Sequence, residues 1–221
     1  MTDAIINVNG DNVQVLQVLF LTTLITLLPS ILVMMTSFTR YIVVFSFLRS
    51  AMGTQQTPPN MVLIGIALFL TLFTMGPVLT QIQTAAYEPY LAEEISQDEF
   101  FQRAQVPLKG FMLDNVEPGA INLYCDLAGL ERPADRAAAM ELPIRVVVPS
   151  FMTSELKQAF LIGFLLYIPF MLIDIVVSST LMSMGMIMLP PSMISTPFKL
   201  LLFLALNGWE RLFSTLVQGF Y

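Results

Sequence analysis

The chain alternates between long uncharged apolar runs and one polar, acidic stretch. The first apolar run extends from about Val13 to Phe38 and contains Pro29. Proline removes a backbone donor, so a kink or break is predicted there. Arg40 punctuates the chain, Tyr41 to Leu48 continues apolar, and Arg49 follows. Ser50 to Asn60 is polar, uncharged and ends with Pro58 and Pro59, the pattern of a tight connection between two helices. The second run, Met61 to Ile82, has no charge over 22 residues. That length can cross about 30 Å of hydrocarbon. Gly76-Pro77 predicts a bend within it.

From Gln83 to Lys157 the pattern changes. Twelve of the sixteen acidic residues fall here, with six of the ten basic ones. Tyr87 to Gln105 sets Tyr90, Leu91, Ile95, Phe100 and Phe101 against Glu93, Glu94, Asp98 and Glu99, which predicts an amphipathic helix. Pro133 to Met140 predicts a second, Ala-rich helix with Pro133 in its first turn. A third apolar run, Phe160 to Ser179, carries Pro169 and Asp174. Thr180 to Met188 is methionine-rich, Pro190-Pro191 stops it, and a last run from Phe198 to Phe220 contains Lys199, Glu210 and Arg211. The organisation read from this is an all-α chain in three parts. Residues 1–82 are apolar helices in a hairpin with its turn near 50–60. Residues 83–150 are an acidic helical insertion. Residues 151–221 are apolar helices with a Met-rich loop near 182–191.

Composition turns these runs into a class. Apolar residues make up 56% and charged residues 12% of 221, about half the charged share of soluble chains. The excess must face lipid or other subunits. A net charge of −6 without a basic stripe gives no reason to expect nucleic acid. One cysteine, Cys125, excludes an internal disulfide, and the absence of histidine removes the commonest general base and metal ligand. No nucleophile–base pair, phosphate loop or metal-spaced set is present, so no catalytic residue, cofactor or metal is expected. The N-terminal stretch, Met1 to Asn12, lacks a basic region before a short apolar core, so no signal peptide is visible. Arg40 and Arg49, with no acid beside them, place their connection on the cytoplasmic side. The insertion and both termini then fall outside.

Three features invite a functional reading. Asp174 lies within Ile173-Asp174-Ile175-Val176-Val177, where a lone carboxylate costs roughly 3 kcal/mol or more in lipid. It needs a partner, with Lys199, Arg40 and Arg49 as candidates. It is either an ion-pair fastener or a proton or ion relay, and no second intramembrane acid extends a relay. Glu155 and Lys157 are either solvated helix-end charges or partner-facing ones. Leu181 to Pro191 carries Met182, Met184, Met186 and Met188. Flexible thioether side chains could close a pore and conform to a passing chain. The plainer reading is a helix end packed in a core, although Gly185 favours a loop.

Several longer motifs carry a resemblance. Met34-Met35-Thr36-Ser37-Phe38-Thr39-Arg40 with Leu48-Arg49, Gln55-Gln56-Thr57-Pro58-Pro59-Asn60, and Phe151 to Phe160 are three of them. Ile168-Pro169-Phe170 with Asp174, and Ser195-Thr196-Pro197-Phe198-Lys199, complete the set. Together they resemble the FliP family, the flagellar member of a wider group of type III secretion export-gate proteins. The resemblance runs from Leu28 to Phe213 and is least diagnostic from Glu93 to Met140. It implies five copies assembled with FliQ and FliR in a helical, ring-like array around a central channel. It further implies FlhB at the cytoplasmic entrance, FliO in assembly, and unfolded flagellar proteins as cargo. The location implied is the bacterial inner membrane and flagellar basal body, with 83–150 on the periplasmic side. The family usually carries a cleaved signal peptide, so the chain reads as a mature form. By motif, Glu155, Asp174 and Lys199 match buried charged positions that link neighbouring subunits. Met186, Ile187 and Met188 match a methionine-rich gasket, here with isoleucine in the middle. The resemblance also implies that the apolar helices pack on one another largely above the membrane plane. The expected function is a core, non-enzymatic subunit of the flagellar protein export gate. The alternatives are an ion-coupled transporter or channel subunit using Asp174, and a scaffold that lines no pore.

Overall fold

The uncharged apolar runs become helices, the longest of 40 residues. The structure, a computed structural model, describes residues 5–8, 11–14, 19, 22–23, 26–27, 30, 33–54, 56–186 and 188–221. Pro29 and its predicted kink lie outside the described residues. The chain is all-α apart from a small antiparallel hairpin of β1 (Ile5–Val8) and β2 (Asp11–Gln14), with Ile5 opposite Gln14. The apolar run read from about Val13 begins inside β2, and no strand is expected from the sequence there. The signal in the sequence is Asn9-Gly10, the dipeptide favoured in two-residue hairpins, between Ile5–Val8 and Asp11–Gln14.

Helix α1 (Phe38–Ala51) buries Arg40, Tyr41, Val44, Phe45, Leu48 and Ala51, one stripe at helical spacing. Arg40 therefore sits in the first turn of a helix and not in a connection. Helices α2 (Asn60–Thr74) and α3 (Gly76–Ile82) divide the second apolar run, and the continuous path from Asn60 to Leu91 bends by 58° at the break before Pro77. A π-turn (Gln83–Tyr87) leads into the short α4 (Glu88–Leu91).

The amphipathic segment predicted from Tyr87 to Gln105 is broken. Glu93 adopts φ 57°, and α5 (Gln97–Asp114) starts afresh behind a capping box. In it the Ser96 hydroxyl accepts from Glu99 N–H and the Glu99 carboxylate accepts from Ser96 N–H. Helix α6 (Pro118–Ala128) was not anticipated, although Pro118 at its start and Gly129 at φ 66° just past its end are the usual boundary residues. The Ala-rich helix is α7 (Arg136–Glu141). Its cap is Asp135, accepting from Ala138 N–H at 2.7 Å, so Pro133 lies before the helix and not in its first turn.

Helix α8 (Ile144–Ser183) has 40 residues and passes through both Pro149 and Pro169. At 1.5 Å per residue it is about 60 Å long, twice the hydrocarbon thickness. It begins well before the predicted Phe160 and crosses residue 150 without interruption. It is the one described helix long and apolar enough by itself to cross a membrane. The α2–α4 path and the pair α9 (Pro191–Ala205) and α10 (Gly208–Gln218) would qualify as bent spans. The last apolar run is therefore split. Its two helices turn by 63° at Asn207, whose φ is 50°.

Two hydrophobic cores result. The bundle core joins α1, α2, α8, α9 and α10 through Tyr41, Phe45, Leu48, Leu63, Ala159, Phe170, Phe203 and Leu216. The insertion core joins α5, α6, α7 and the start of α8 through Met112, Ile121, Cys125, Ala139, Val147 and Phe151, with Met35 added. Each large apolar side chain buried in these cores, such as Phe45 or Phe151, contributes roughly 1.5–3 kcal/mol. Close approach of α1 to α8 depends on Gly163, where a Cβ would meet the Phe47 ring at 2.5 Å.

Candidate functional site

Glu155 faces inward from α8 and is 0% exposed. Isolated, its carboxylate would be very costly there. Arg40 answers it from α1 in a two-bond fork. Nε donates to Oε2 at 2.8 Å and Nη2 to Oε1 at 2.5 Å. Planar guanidinium and planar carboxylate match in this geometry. One of the two arginines behind the cytoplasmic-side reading is therefore enclosed in an ion pair. The other, Arg49, hydrogen-bonds the Asn60 side chain across the α1–α2 turn.

Asp174 lies about two and a half turns from the end of α8. Lys199 of α9 donates to its Oδ2 at 2.6 Å, and the Ser195 hydroxyl donates to Oδ1 at 2.6 Å. Lys199 also donates to Ala51 O at 3.1 Å, closing the end of α1, where a cation suits the helix dipole. The pair is lopsided: the Lys199 side chain is 7% exposed and that of Asp174 is 42% exposed. Within one chain, then, all three predicted charged positions have partners: Glu155 with Arg40, and Asp174 with Lys199. Asp174 alone keeps an open side.

The methionine run follows directly. Helix α8 ends at Ser183, and Gly185 takes φ 76°, a left-handed conformation that glycine adopts freely. Met186 N–H bonds back to Leu181 O at 3.0 Å, fixing the reversal. Met182, Met184 and Met186 are exposed, and Met188 is 98% exposed. None belongs to either core. Ile187 lies outside the described residues. Beside this loop, Leu172, Ile173, Val176, Val177, Ile194 and Phe198 line an open apolar groove of about 560 Å³ between α8 and α9.

Charges of the insertion behave differently. Lys157 pairs on the surface with Glu117 at 2.5 Å, and Gln158 donates to the same carboxylate. The Lys157 hydrogen bond holds the Glu117 carboxyl below its ordinary range. Asp126 is likewise lowered by its bond from Arg132, and Arg136 pairs with Asp114. Burial in the insertion core pushes the Cys125 thiol up. Among the described residues no group of three or more acidic or cysteine side chains converges on a point that could hold a metal ion.

Sequence similarity extends over the same elements. A model of the FliP family matches residues 21–216. The flagellar biosynthetic protein FliP of Aquifex aeolicus (strain VF5) is 47% identical over 211 residues, covering 96% of this chain and 88% of that protein. The Bacillus subtilis (strain 168) protein of the same name is 45% identical over 204 residues, covering 92% of this chain and 91% of its own length. That of Caulobacter vibrioides is 47% identical over 225 residues, covering all of this chain and 84% of its own.

Proposed function

The chain belongs to the FliP family, and from that membership we propose that it is a core subunit of the gate through which unfolded flagellar proteins are exported. It is a structural component of the flagellar export apparatus and not an enzyme. Five copies would assemble with FliQ and FliR in a helical, ring-like array. FlhB would sit at the cytoplasmic entrance, and FliO would serve assembly. The array would reside in the bacterial inner membrane at the basal body, with the 83–150 insertion on the periplasmic side.

One observation carries this reading. The long helix ends in a glycine-broken loop whose methionines are exposed, directly beside an unfilled apolar groove. Contiguous apolar surface of this kind marks an association face. In the assembled ring, Met186, Ile187 and Met188 would meet their counterparts and form the closing gasket. Soft, unbranched side chains suit a seal that must yield to a passing chain and close behind it. Asp174, with its open side, would be the charge that contacts a neighbour. Glu155 and Lys199 would act on the interface by holding α8 and α9 in position.

The gasket is tested by replacing Met186 to Met188 with glycine and measuring small-ion leakage across the inner membrane. A rise is expected; an assembled complex that stays ion-tight would leave the chain as a scaffold outside the pore. Asp174→Asn separates the gate from an ion-coupled transporter. The gate reading expects weakened oligomerisation, whereas intact assembly with abolished transport would support coupling at Asp174.

A further inference from the structure

Arg40 has partners beyond Glu155. Its Nη1 donates to Gly219 O at 3.0 Å, and its guanidinium carbon lies 3.7 Å from the centre of the Phe220 ring. That is a cation–π contact on a guanidinium already out of water. Phe220 is also stacked on Phe111 of α5, centroids 5.7 Å apart and planes at 20°. Tyr41 meets it edge-on at 5.7 Å. Phe111 in turn lies 5.8 Å from Phe151. The neighbouring Tyr221 hydroxyl donates to Thr74 O at 3.3 Å, so the segment is held on both sides of the ring.

These contacts join two regions that otherwise have separate cores. Phe220 packs against the bundle core and Phe111 against the insertion core. The path Glu155, Arg40, Phe220, Phe111, Phe151 is continuous and mostly buried. We propose that Phe220 is a latch: it seals the Arg40–Glu155 pair from water and couples α5 of the insertion to α1 and α8 of the bundle. A force or ligand acting on α5 then has a route to the Arg40 guanidinium through this ring, beside the direct contact of Phe111 with Phe151 on α8. The insertion has a separate anchor at α6, where Glu117 N–H donates to Ser154 Oγ at 2.9 Å and the Glu117 carboxylate receives Lys157 and Gln158. The latch therefore governs α5 and not α6.

Hydrogen exchange of the full chain in its purified complex tests this. In Phe220→Ala, peptides from 38–51 and 97–114 are expected to exchange roughly tenfold faster or more, the scale of losing a desolvated cation–π contact and two ring pairs. Peptides from 118–128 should be unchanged. Phe220→Leu keeps the bulk without the ring face. It should give the same pattern at smaller size, and it decides the matter if the alanine variant does not fold. Unchanged exchange in 97–114, or an equal rise in 118–128, would overturn the latch.

Discussion

The two halves of α8 are covalently one rod and physically two surfaces. From Ile144 to Gly163 it buries Val146, Val147, Ser150, Phe151, Ser154, Glu155, Ala159 and Gly163. From Phe164 to Ser183 only Phe170 is buried, while Phe164, Leu165, Leu172, Ile175, Val176 and Met182 are each more than half exposed. Each half carries one acidic residue. Glu155 is fully enclosed and held in a fork by Arg40; Asp174 is met from one side by Lys199 and Ser195 and stays open on the other. The first half completes this chain's own fold. The second presents apolar surface that only an environment outside the chain can cover.

The largest expected effect comes from breaking the enclosed pair. Glu155→Ala leaves a buried guanidinium unanswered and should cost about 3–5 kcal/mol in unfolding stability. A denaturant titration in detergent checks this, and a loss below about 1 kcal/mol would mean that water already reaches the pair. Close behind comes a matched pair of truncations on the same helix. Phe151→Ala in the first half should cost roughly 3–5 kcal/mol. Phe164→Ala in the second should stay within about 0.5 kcal/mol for the isolated chain yet lower the yield of the assembled complex. Equal stability losses would erase the distinction between the halves. Asp174→Asn should be milder, roughly 1–3 kcal/mol, because Lys199 keeps Ala51 O and Ser195 stays nearby.

The smallest effect sharpens the contrast with the insertion. Glu117 has its carboxyl lowered by Lys157, so the folded state binds that proton less readily than the unfolded chain. Its contribution is fully present above the ordinary glutamate value of about 4.3. It is lost as pH falls below that toward the lowered value. Acid unfolding of Glu117→Gln should show a shallower fall in this window, with no difference from the parent chain's pH dependence at neutral pH.

Much of this was legible in the sequence because it rests on local signals. Asp174 stands out in an apolar run, Gly185 breaks the methionine run, and Pro77 marks the bend after α2. The pairing of Glu155 was not legible. Its partner is 115 positions away, and Arg40 looked like a topological marker because it follows an apolar run. The start of α8 was missed because Pro149 and the Glu155–Lys157 charges resemble the edge of a polar insertion. Burial of Glu155 inside the chain removes that edge. Helix α6 was missed because its apolar stripe is short, and Phe220 because its role depends on Phe111 and Arg40 arriving from distant elements.

Thiol labelling at Val176, in a Cys125→Ala background, tests the division of α8 most directly. Val176→Cys lies on the second half, 64% exposed in the single chain. If another subunit covers this face, a maleimide that partitions into detergent and lipid should label it readily in the isolated chain and slowly in the assembled export complex. Equal labelling in both states would place that face against lipid and contradict its role as an assembly surface.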